Sequence, residues 1–459
     1  MSGERAAEPA VADLLIVGAG AKAAAIAAKV HAINSLGMGP VRVAMIEKAV
    51  PAASWLGRNG MTSGEEPLAV PPIKDVGFPY RSHRQFGEAG DEIDAALLPL
   101  SWKRFAIERR EWAPWVNAGS PAVRHRDYGE YLTWVLERAT EGVTVCRGRV
   151  TEIEPAPDGE AWEAAVDERG DADDPQRHRA RALVLTGPGV HRELPHDPAV
   201  AERVFHCDSD RGEFRRVPEG RPVDIGIVGG GESALSALVF LRSLRPACRI
   251  TVYTPTLPLS RGESFLENRV FADPDDVEWE RLDEQTRRDF VRHCDRGVFD
   301  SRVLERISGD EACTFKVGRA VHVAAAPGGE GALLEYESPD GVVAAPHDFV
   351  VNCTGFDLLE QMRELFSPRL REWVEEQAGP LWDRPPQAEV PIGRALELVG
   401  VEPRLHIPGL GALSQGPGFA NLGSLGLLAN RVLEPLLAEL GSPAAPTSNH
   451  PRNRSLSLD

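Results

Sequence analysis

Apolar and helix-forming stretches alternate at the start of the chain. Residues 13–20 (DLLIVGAG) form a continuous apolar run that ends in glycines, which is typical of a strand buried on both faces of a parallel sheet. Residues 21–33 (AKAAAIAAKVHAI) have strong helix propensity, and residues 41–48 (VRVAMIEK) form a second apolar run. This order predicts a βαβ unit.

The same pattern begins again about 210 residues later. Residues 223–231 (VDIGIVGGG) predict a strand and a glycine turn, residues 232–244 a helix, and residues 249–255 a further strand. Apolar runs at 181–189 (RALVLTGPG) and 347–357 (HDFVVNCTGFD) follow the two units, and each ends in a turn of small residues. We therefore expect an α/β protein with two Rossmann-like dinucleotide-binding domains.

Two amphipathic helices are predicted between these units, at 98–119 and 126–139. They carry a group of large aromatic residues, which general burial tendencies place in the core rather than around a cofactor. These residues are Trp102, Trp112, Trp115, Tyr131 and Trp134.

Composition narrows the possible partners. The chain has 459 residues, more than one hydrophobic core usually supports, and a formal net charge of −18. That acidity argues against nucleic acid and anionic membrane surfaces, which attract basic proteins. The six cysteines form no C-x-x-C, so neither a redox dithiol nor a zinc site is expected, and no metal site is predicted. No apolar run is long enough to span a bilayer, and we expect a cytoplasmic protein.

The first glycine turn fits the pattern G-x-G-x-x-[G/A]. Gly18 permits the tight turn, Gly20 allows close approach of a pyrophosphate, and Ala23 allows the helix to pack closely on the sheet. Glu47, at the end of the second strand, suits a contact with a ribose hydroxyl. Alone this pattern also fits a structural turn or a methyltransferase, but strand, helix and acid together favour nucleotide binding.

The second turn places Gly229, Gly231 and Ser233 before a helix. Its second strand ends without an acid, and Arg261 follows. A missing carboxylate and a nearby arginine favour the 2′-phosphate of NADP over NAD, whereas the plainer alternative for Arg261 is a surface arginine.

Two dinucleotide folds in one chain predict a flavoprotein that is reduced by NADPH. We expect residues 11–215 and 347–440 to form a discontinuous FAD domain and residues 216–346 an NADPH domain, with a small, mostly helical substrate region at about 262–305. The polar tails, 1–10 and 442–459, are expected to be disordered.

From residue 14 to about residue 437 the chain resembles the flavin-dependent N-hydroxylating monooxygenases of siderophore biosynthesis. The resemblance rests on GAGAKA, KDVGFPYRS, GGGES, SRGESFLEN, DRGVF, NCTGFD and SQGPGFANLGSLGLL. Within that family the chain is most similar to the lysine-hydroxylating branch associated with mycobactin-type siderophores.

The resemblance implies roles for individual residues. Lys74 matches the lysine that binds the substrate carboxylate, Asn268 the asparagine at the substrate head group, and Ser424 the serine near the side-chain amine. Gln415 and Gly416 match a segment along the flavin, and Trp55 matches a cofactor-binding position. The alternative for Lys74 is a local ion pair with Asp75 or a surface position. Where the ornithine enzymes have Asn-Tyr, this chain has Asp295 and Arg296, which argues mildly against ornithine and places Asp295 among the candidate substrate residues.

The implied reaction is hydroxylation of L-lysine to N6-hydroxylysine by O2, with NADPH reducing FAD and a C4a-hydroperoxyflavin as the oxidant. A dimer or tetramer is also implied. Ornithine, cadaverine and putrescine remain alternative substrates, although a diamine has no carboxylate for Lys74. The F-x-G-x-x-x-H signature of Baeyer–Villiger and sulfur-oxidising monooxygenases does not occur between the nucleotide folds. A catalytically inactive nucleotide-binding protein is the alternative outside enzymes.

Overall fold

Two parallel sheets, each beginning with a strand and a glycine turn, organise the chain. The computed structural model describes residues 11–58, 62–168, 175–207, 213–339, 341–384 and 388–442. The predicted disordered tails, 1–10 and 442–459, lie outside these ranges except for Ser442, whose N–H donates to Leu437 O.

The strands are β1 (Ala12–Val17), β2 (Val43–Glu47), β3 (Val143–Arg147), β4 (Arg149–Pro155), β5 (Trp162–Asp167), β6 (Gln176–Leu185), β7 (Val190–His191), β8 (Val204–His206), β9 (Val223–Val228), β10 (Cys248–Thr254), β11 (Cys313–Val317), β12 (Arg319–Ala325), β13 (Ala332–Ser338), β14 (Gly341–His347), β15 (Phe349–Asn352), β16 (Phe356–Asp357) and β17 (Leu405–His406). The helices are α1 (Ala21–Ser35), α2 (His83–Phe86), α3 (Glu88–Leu97), α4 (Trp102–Glu108), α5 (Trp112–Asn117), α6 (His125–Arg138), α7 (Glu232–Leu244), α8 (Phe265–Ala272), α9 (Glu284–Cys294), α10 (Ser301–Ser308), α11 (Leu358–Leu365), α12 (Pro368–Ala378) and α13 (Leu425–Glu439). Both predicted βαβ units are present, with ends shifted by at most two residues.

The first sheet has the order β3-β2-β1-β6-β5-β4, with β17 also paired to β6. Strands β3, β2, β1, β6 and β17 are parallel, whereas β5 pairs antiparallel to both β6 and β4. Helix α1 is buried on nearly every side, which its alanines permit. Its one fully buried charge, Lys29, donates to Ser82 Oγ at 2.6 Å and lies 3.5 Å from Asp94.

The second sheet is parallel throughout, in the order β11-β10-β9-β15-β8. Two of its strands, β8 and β15, lie outside the predicted NADPH domain at 216–346, so strand pairing extends this unit past both predicted bounds. Strand β8 has only three residues, too few for a distinctive pattern, whereas β15 lies within the apolar run at 347–357. The division of the chain into two cofactor domains at these residues stays a prediction.

Two further β elements complete the second unit. Strands β12, β13 and β14 form an antiparallel sheet that the sequence analysis does not predict. Strands β7 and β16 pair with each other, Phe356 opposite His191 and Asp357 opposite Val190. They form a two-stranded ribbon where the chain passes from the first unit to the second and back.

The predicted helical region at 262–305 contains α8, α9 and the start of α10, with short 3₁₀ turns at Pro274–Val277 and Trp279–Arg281. We call it the insert. The first of these turns contacts the first unit through three aspartates. Asp273 and Asp276 pair with Arg81 and Arg84, and Asp275 pairs with Arg394 and Arg431. Charge pairs therefore hold the insert against the first unit.

The aromatic residues of the first unit pack together as predicted. Trp102 and Tyr131 are buried, with ring centroids 5.5 Å apart. Trp112, Trp115 and Trp134 are partly buried at the edge of this group. No helix in the described ranges is both long and apolar enough to cross a bilayer.

We expect Arg431→Met to lower the free energy of unfolding by about 3–5 kcal/mol, because it leaves Asp275 and Gln415 without their shared cation in a buried place. Arg431 is fully buried and lies 2.7 Å from each of these residues. Urea unfolding followed by tryptophan fluorescence measures the change.

Arg394→Met is the matched control. Arg394 pairs with the same Asp275 at 3.0 Å, but its side chain is 53% exposed, so its loss should change stability by about 0–1 kcal/mol. Equal effects of the two substitutions would show that burial of the guanidinium is not what matters.

Candidate functional site

The first glycine turn forms a cradle at the carboxyl end of β1. Gly18 has φ +98°, and a Cβ there would lie 2.6 Å from Thr186 Oγ1, so only glycine fits without a shift. Gly20 caps α1 without a side-chain hydrogen bond, and Ala23 is fully buried under the helix. This geometry fits a pyrophosphate at the helix N-terminus, as the pattern predicts.

Glu47 lies beside this cradle at the end of β2. Its carboxylate accepts hydrogen bonds from the N–H groups of Ala19 and Ala49, each at 2.9 Å. These two bonds hold the side chain next to the turn, where a carboxylate meets the ribose of a bound dinucleotide.

The second glycine turn follows β9. Gly229 has φ +144°, Gly231 caps α7 without a side-chain hydrogen bond, and Ser233 is in the first turn of the helix. Arg261 reaches this turn and bonds the Glu232 carboxylate. The structure therefore brings the predicted arginine to the turn, but pairs it with an acid that the sequence analysis did not consider.

Burial raises the pKa of Glu232 to about 7, against the opposing effect of Arg261. The Arg261 side chain is 16% exposed, and its Nε is buried without a hydrogen-bond partner. Glu232 lies inside the turn itself, but nothing in the sequence pairs it with an arginine 29 positions away.

The loop 71–82 presents Lys74 toward the insert. Lys74 Nζ donates to Asn268 Oδ1 at 2.6 Å and lies 5.6 Å from the centre of the Phe78 ring. Burial lowers the pKa of Lys74, and Glu263 opposes this effect. Two residues that the resemblance singled out, 194 positions apart, are thus in direct contact.

Asp75 holds the loop rather than pairing with Lys74. Its carboxylate accepts from Trp102 N at 2.9 Å, Gly77 N at 3.1 Å and Tyr80 Oη at 2.8 Å. Burial raises the pKa of Asp75 to about 6, and these hydrogen bonds act in the opposite direction. The alternative of a local ion pair between Lys74 and Asp75 is therefore not what the structure has.

The Asn268 amide is oriented by its own helix. Its Nδ2 donates to Glu263 O at 2.7 Å and to Ser264 O at 3.0 Å, which directs Oδ1 toward Lys74. The carbonyl oxygen accepts, so it suits an ammonium donor as well as the lysine it now contacts.

Ser424 lies at the start of α13, close to both the loop and the insert. Its Oγ is buried with no hydrogen-bond partner, and side chains added at Gly418 or Gly423 would collide with Phe271 of the insert. Gly426 N donates to Phe78 O at 2.7 Å, which joins α13 to the Lys74 loop. An unpaired hydroxyl at this junction fits a role toward a ligand.

Gln415 and Gly416 begin the segment 415–424, which we call the flavin segment. The Gln415 side chain is committed to the protein, since it donates to Ile392 O at 3.0 Å and accepts from Arg431. Gly416 has φ +133° and faces Pro274 of the insert. Arg431, which the sequence did not single out, donates to Gln415 and so fixes the start of this segment.

Asp295 joins the two nucleotide regions. It accepts from Asn421 Nδ2 of the flavin segment at 3.0 Å and from Arg296 Nε at 3.2 Å. The next residue, Gly297, lies against Gly230 and Gly231 of the second glycine turn. The turn at 295–297 therefore lies between the flavin segment and the second glycine turn.

Trp55 is in an aromatic group at the start of α6. Its ring makes edge contacts with His125 at 5.1 Å and Tyr128 at 5.5 Å between centroids. It lies three residues after Ala52, whose N–H donates to Ala19 O of the first cradle. A role for Trp55 at the cofactor stays a prediction.

One group of potential metal ligands occurs in the described part of the chain: His191, Glu193 and His206. The two imidazole centroids are only 3.7 Å apart. Asn352 Nδ2 lies 3.3 Å from His206 Nδ1, and as a donor it leaves the proton on Nε2, which points at Glu193. The Nε2 atoms of His191 and His206 lie 3.5 Å and 3.8 Å from the Glu193 carboxylate.

Comparison with known proteins agrees with this geometry. Residues 99–310 match the family described as L-lysine 6-monooxygenase/L-ornithine 5-monooxygenase. The chain is 34% identical over 450 residues to L-lysine N6-monooxygenase MbtG of Mycolicibacterium paratuberculosis, covering 97% of this chain and 98% of the relative. It is 35% identical over 427 residues to MbtG of Mycobacterium tuberculosis, covering 92% and 94%.

Among solved structures, lysine monooxygenase NbtG from Nocardia farcinica superposes with a TM-score of 0.77 at 32% identity. The match covers 92% of this chain and 100% of NbtG. Reduced ornithine hydroxylase PvdA from Pseudomonas aeruginosa has the same fold, with a TM-score of 0.71 at 21% identity over 94% of this chain and all of that structure. The chain belongs to the L-lysine 6-monooxygenase/L-ornithine 5-monooxygenase family of flavin-dependent monooxygenases.

Proposed function

We propose that the protein is an FAD- and NADPH-dependent monooxygenase that converts L-lysine and O2 to N6-hydroxylysine for a siderophore or a related product with an N–O bond. The observation that carries the proposal is the 2.6 Å contact between Lys74 Nζ and Asn268 Oδ1. MbtG and NbtG, both at more than 30% identity, are named as lysine monooxygenases. A dimer or tetramer stays a prediction.

The Lys74–Asn268 pair has the chemistry of an amino-acid clamp. An ammonium group pairs with a carboxylate, and an amide oxygen accepts from an α-ammonium group. Both groups are partly buried, where a charge-assisted hydrogen bond is stronger than in water. A diamine offers no carboxylate, so it leaves the Lys74 cation without an anionic partner.

The side-chain amine of the substrate must be neutral to react, although the pKa of a free lysine amine is about 10.4. A site that excludes water favours the neutral amine. We assign Ser424 Oγ, which is buried and without a partner, to a hydrogen bond with that amine. The bound flavin supplies the activation of O2.

The two cradles suit their two nucleotides. The first has an acid at the end of its second strand, Glu47, and we assign FAD to it. The second cradle has Arg261 beside its glycine turn, bonded to Glu232. We assign NADPH to this cradle because a guanidinium binds a 2′-phosphate. The turn at Asp295–Gly297 contacts both the flavin segment and the second glycine turn, so we assign it to the region between the two cofactors.

Replacing Lys74 by methionine should raise the KM for L-lysine by about 10- to 100-fold, the loss expected when a charge-assisted hydrogen bond is removed. Turnover of cadaverine, which has the same amine but no carboxylate, should change little. The measurement is hydroxylamine formed by the FAD-loaded enzyme, because NADPH oxidation alone also reports uncoupled reduction of O2.

Lys103→Met is the control for this experiment. Lys103 Nζ also lies 5.6 Å from the centre of an aromatic ring, that of Trp112. However, its side chain is exposed and packs against α5 rather than against the insert. Its loss should leave both substrates unaffected. If Lys74→Met kept the KM for L-lysine, or if the wild type preferred diamines, the carboxylate clamp would be wrong.

The affinity for NADP+ should fall as the pH rises through about 7, the pKa of Glu232 in the free protein. Below this pKa Glu232 is neutral and releases Arg261 to the 2′-phosphate, whereas above it the carboxylate competes with the phosphate for the same guanidinium. Titration calorimetry between about pH 6 and pH 8 measures the effect.

Glu232→Gln removes the competing charge, so the ratio of its affinity for NADP+ to that of the wild type should rise as the pH passes through about 7. Ionisation of the phosphate itself, with a pKa of about 6, affects both proteins equally. Arg261→Ala should abolish most of the preference for NADP+ over NAD+. Identical pH profiles for the wild type and Glu232→Gln would reject competition at Arg261.

A further inference from the structure

Lys22 lies in the first cradle, in the first turn of α1 between Gly20 and Ala23. Its ammonium group donates to Ala420 O of the flavin segment at 3.1 Å and to Thr186 O at 3.3 Å. These carbonyl groups belong to the turn that follows β6 and to the C-terminal part of the chain. The cation therefore sits above the carboxyl end of the first sheet, where dinucleotides bind in such folds.

No carboxylate lies within ion-pair distance of this ammonium in the described part of the chain. The acid that acts electrostatically on Lys22 is Asp295, whose oxygens bond Asn421 and Arg296 instead. Burial lowers the pKa of Lys22 to about 8, Asp295 acts to raise it, and Arg296 acts to lower it. Two carbonyl bonds leave the third N–H of the ammonium available to a ligand.

Lys29 on the same helix shows the usual arrangement for comparison. It is fully buried, and the chain supplies Asp94 at 3.5 Å and the Ser82 hydroxyl at 2.6 Å as its partners. Lys22 is half-buried and has only carbonyl partners, and a charge withdrawn from water without an opposite charge beside it is unfavourable. The lack of an acid for Lys22 suggests that its anion comes from a ligand.

The helix adds to the positive potential at this place. Helix α1 has no acidic residue in its first turn, and Gly20 provides no side-chain cap. The free N–H groups and the helix dipole carry a partial positive charge, which repels a lysine ammonium in the same turn. An anion between them relieves both effects.

We propose that Lys22 binds the pyrophosphate of the flavin nucleotide, so that its ammonium and the N-terminus of α1 share one dianion. The inference rests on the assignment of FAD to the first cradle under the proposed function. Lys22 occupies one of the unspecified positions of the pattern G-x-G-x-x-[G/A]. The proposal gives this position a specific cofactor-binding role in this chain.

The test measures FAD affinity in protein freed of flavin, from the quenching of flavin fluorescence. Lys22→Gln should weaken FAD binding by about tenfold or more, as expected for loss of a charge-assisted hydrogen bond to phosphate. Lys22→Arg, which keeps the charge, should lose less. Lys48→Gln is the matched control, since Lys48 follows Glu47 in sequence but is exposed, and it should bind FAD like the wild type.

A second readout separates the pyrophosphate from the flavin ring. If Lys22 contacts the pyrophosphate, the midpoint potential of the bound flavin should be the same in Lys22→Gln and the wild type. A shifted potential with unchanged FAD affinity would place the ammonium at the ring and overturn the proposal. Unchanged NADP+ affinity and circular dichroism would show that the variant is folded.

The failure of this inference and that of the proposed function look different. A wild-type protein that binds FAD, with equal affinity in Lys22→Gln, overturns the role of Lys22 and leaves the proposed function standing. A wild-type protein that binds no FAD overturns both.

Discussion

A fully buried guanidinium holds the functional part of the molecule together. Arg431 of α13 bonds Gln415 of the flavin segment and Asp275 of the insert, each at 2.7 Å, and its charge lies 4.5 Å from the centre of the Phe419 ring. Charge in a dry interior is tolerated only when it is paired and hydrogen-bonded. The three segments must therefore stay together for the fold to retain this cation.

The proposed substrate clamp of Lys74 and Asn268 depends on that arrangement. Lys74 belongs to the first unit and Asn268 to the insert, so their contact exists only while the insert is docked. Asp273 and Asp276 reinforce the docking through Arg81 and Arg84, on the loop that carries Lys74 and the helix that follows it. The same charges that dock the insert thus bring the halves of the clamp within hydrogen-bond distance.

Much of the fold follows from local patterns, whereas the docking does not. Both glycine turns and their helices were predicted because apolar runs, glycines and helix formers are adjacent in sequence. The contact of Lys74 with Asn268 was reached only through family resemblance. Arg431 with Asp275, and Arg261 with Glu232, escaped prediction, since charge pairs 156 and 29 positions apart leave no periodic signal. The short strand β8 was missed because tertiary pairing, rather than propensity, makes it a strand, whereas β15 lies in the apolar run predicted at 347–357.

The ribbon of β7 and β16 brings together the two points at which the chain enters and leaves the second unit. Phe356 lies opposite His191, and partners across antiparallel strands have Cα atoms about 5 Å apart. Everything from 192 to 355 is thus a cassette whose two ends meet at one place. Exchange of the whole second unit between relatives needs only two junctions there, and neither interrupts a large sheet. The recipient must also match the side chains that the insert contacts: the arginines that pair with its aspartates, Glu389, which pairs with Arg287, and Asn421, which bonds Asp295.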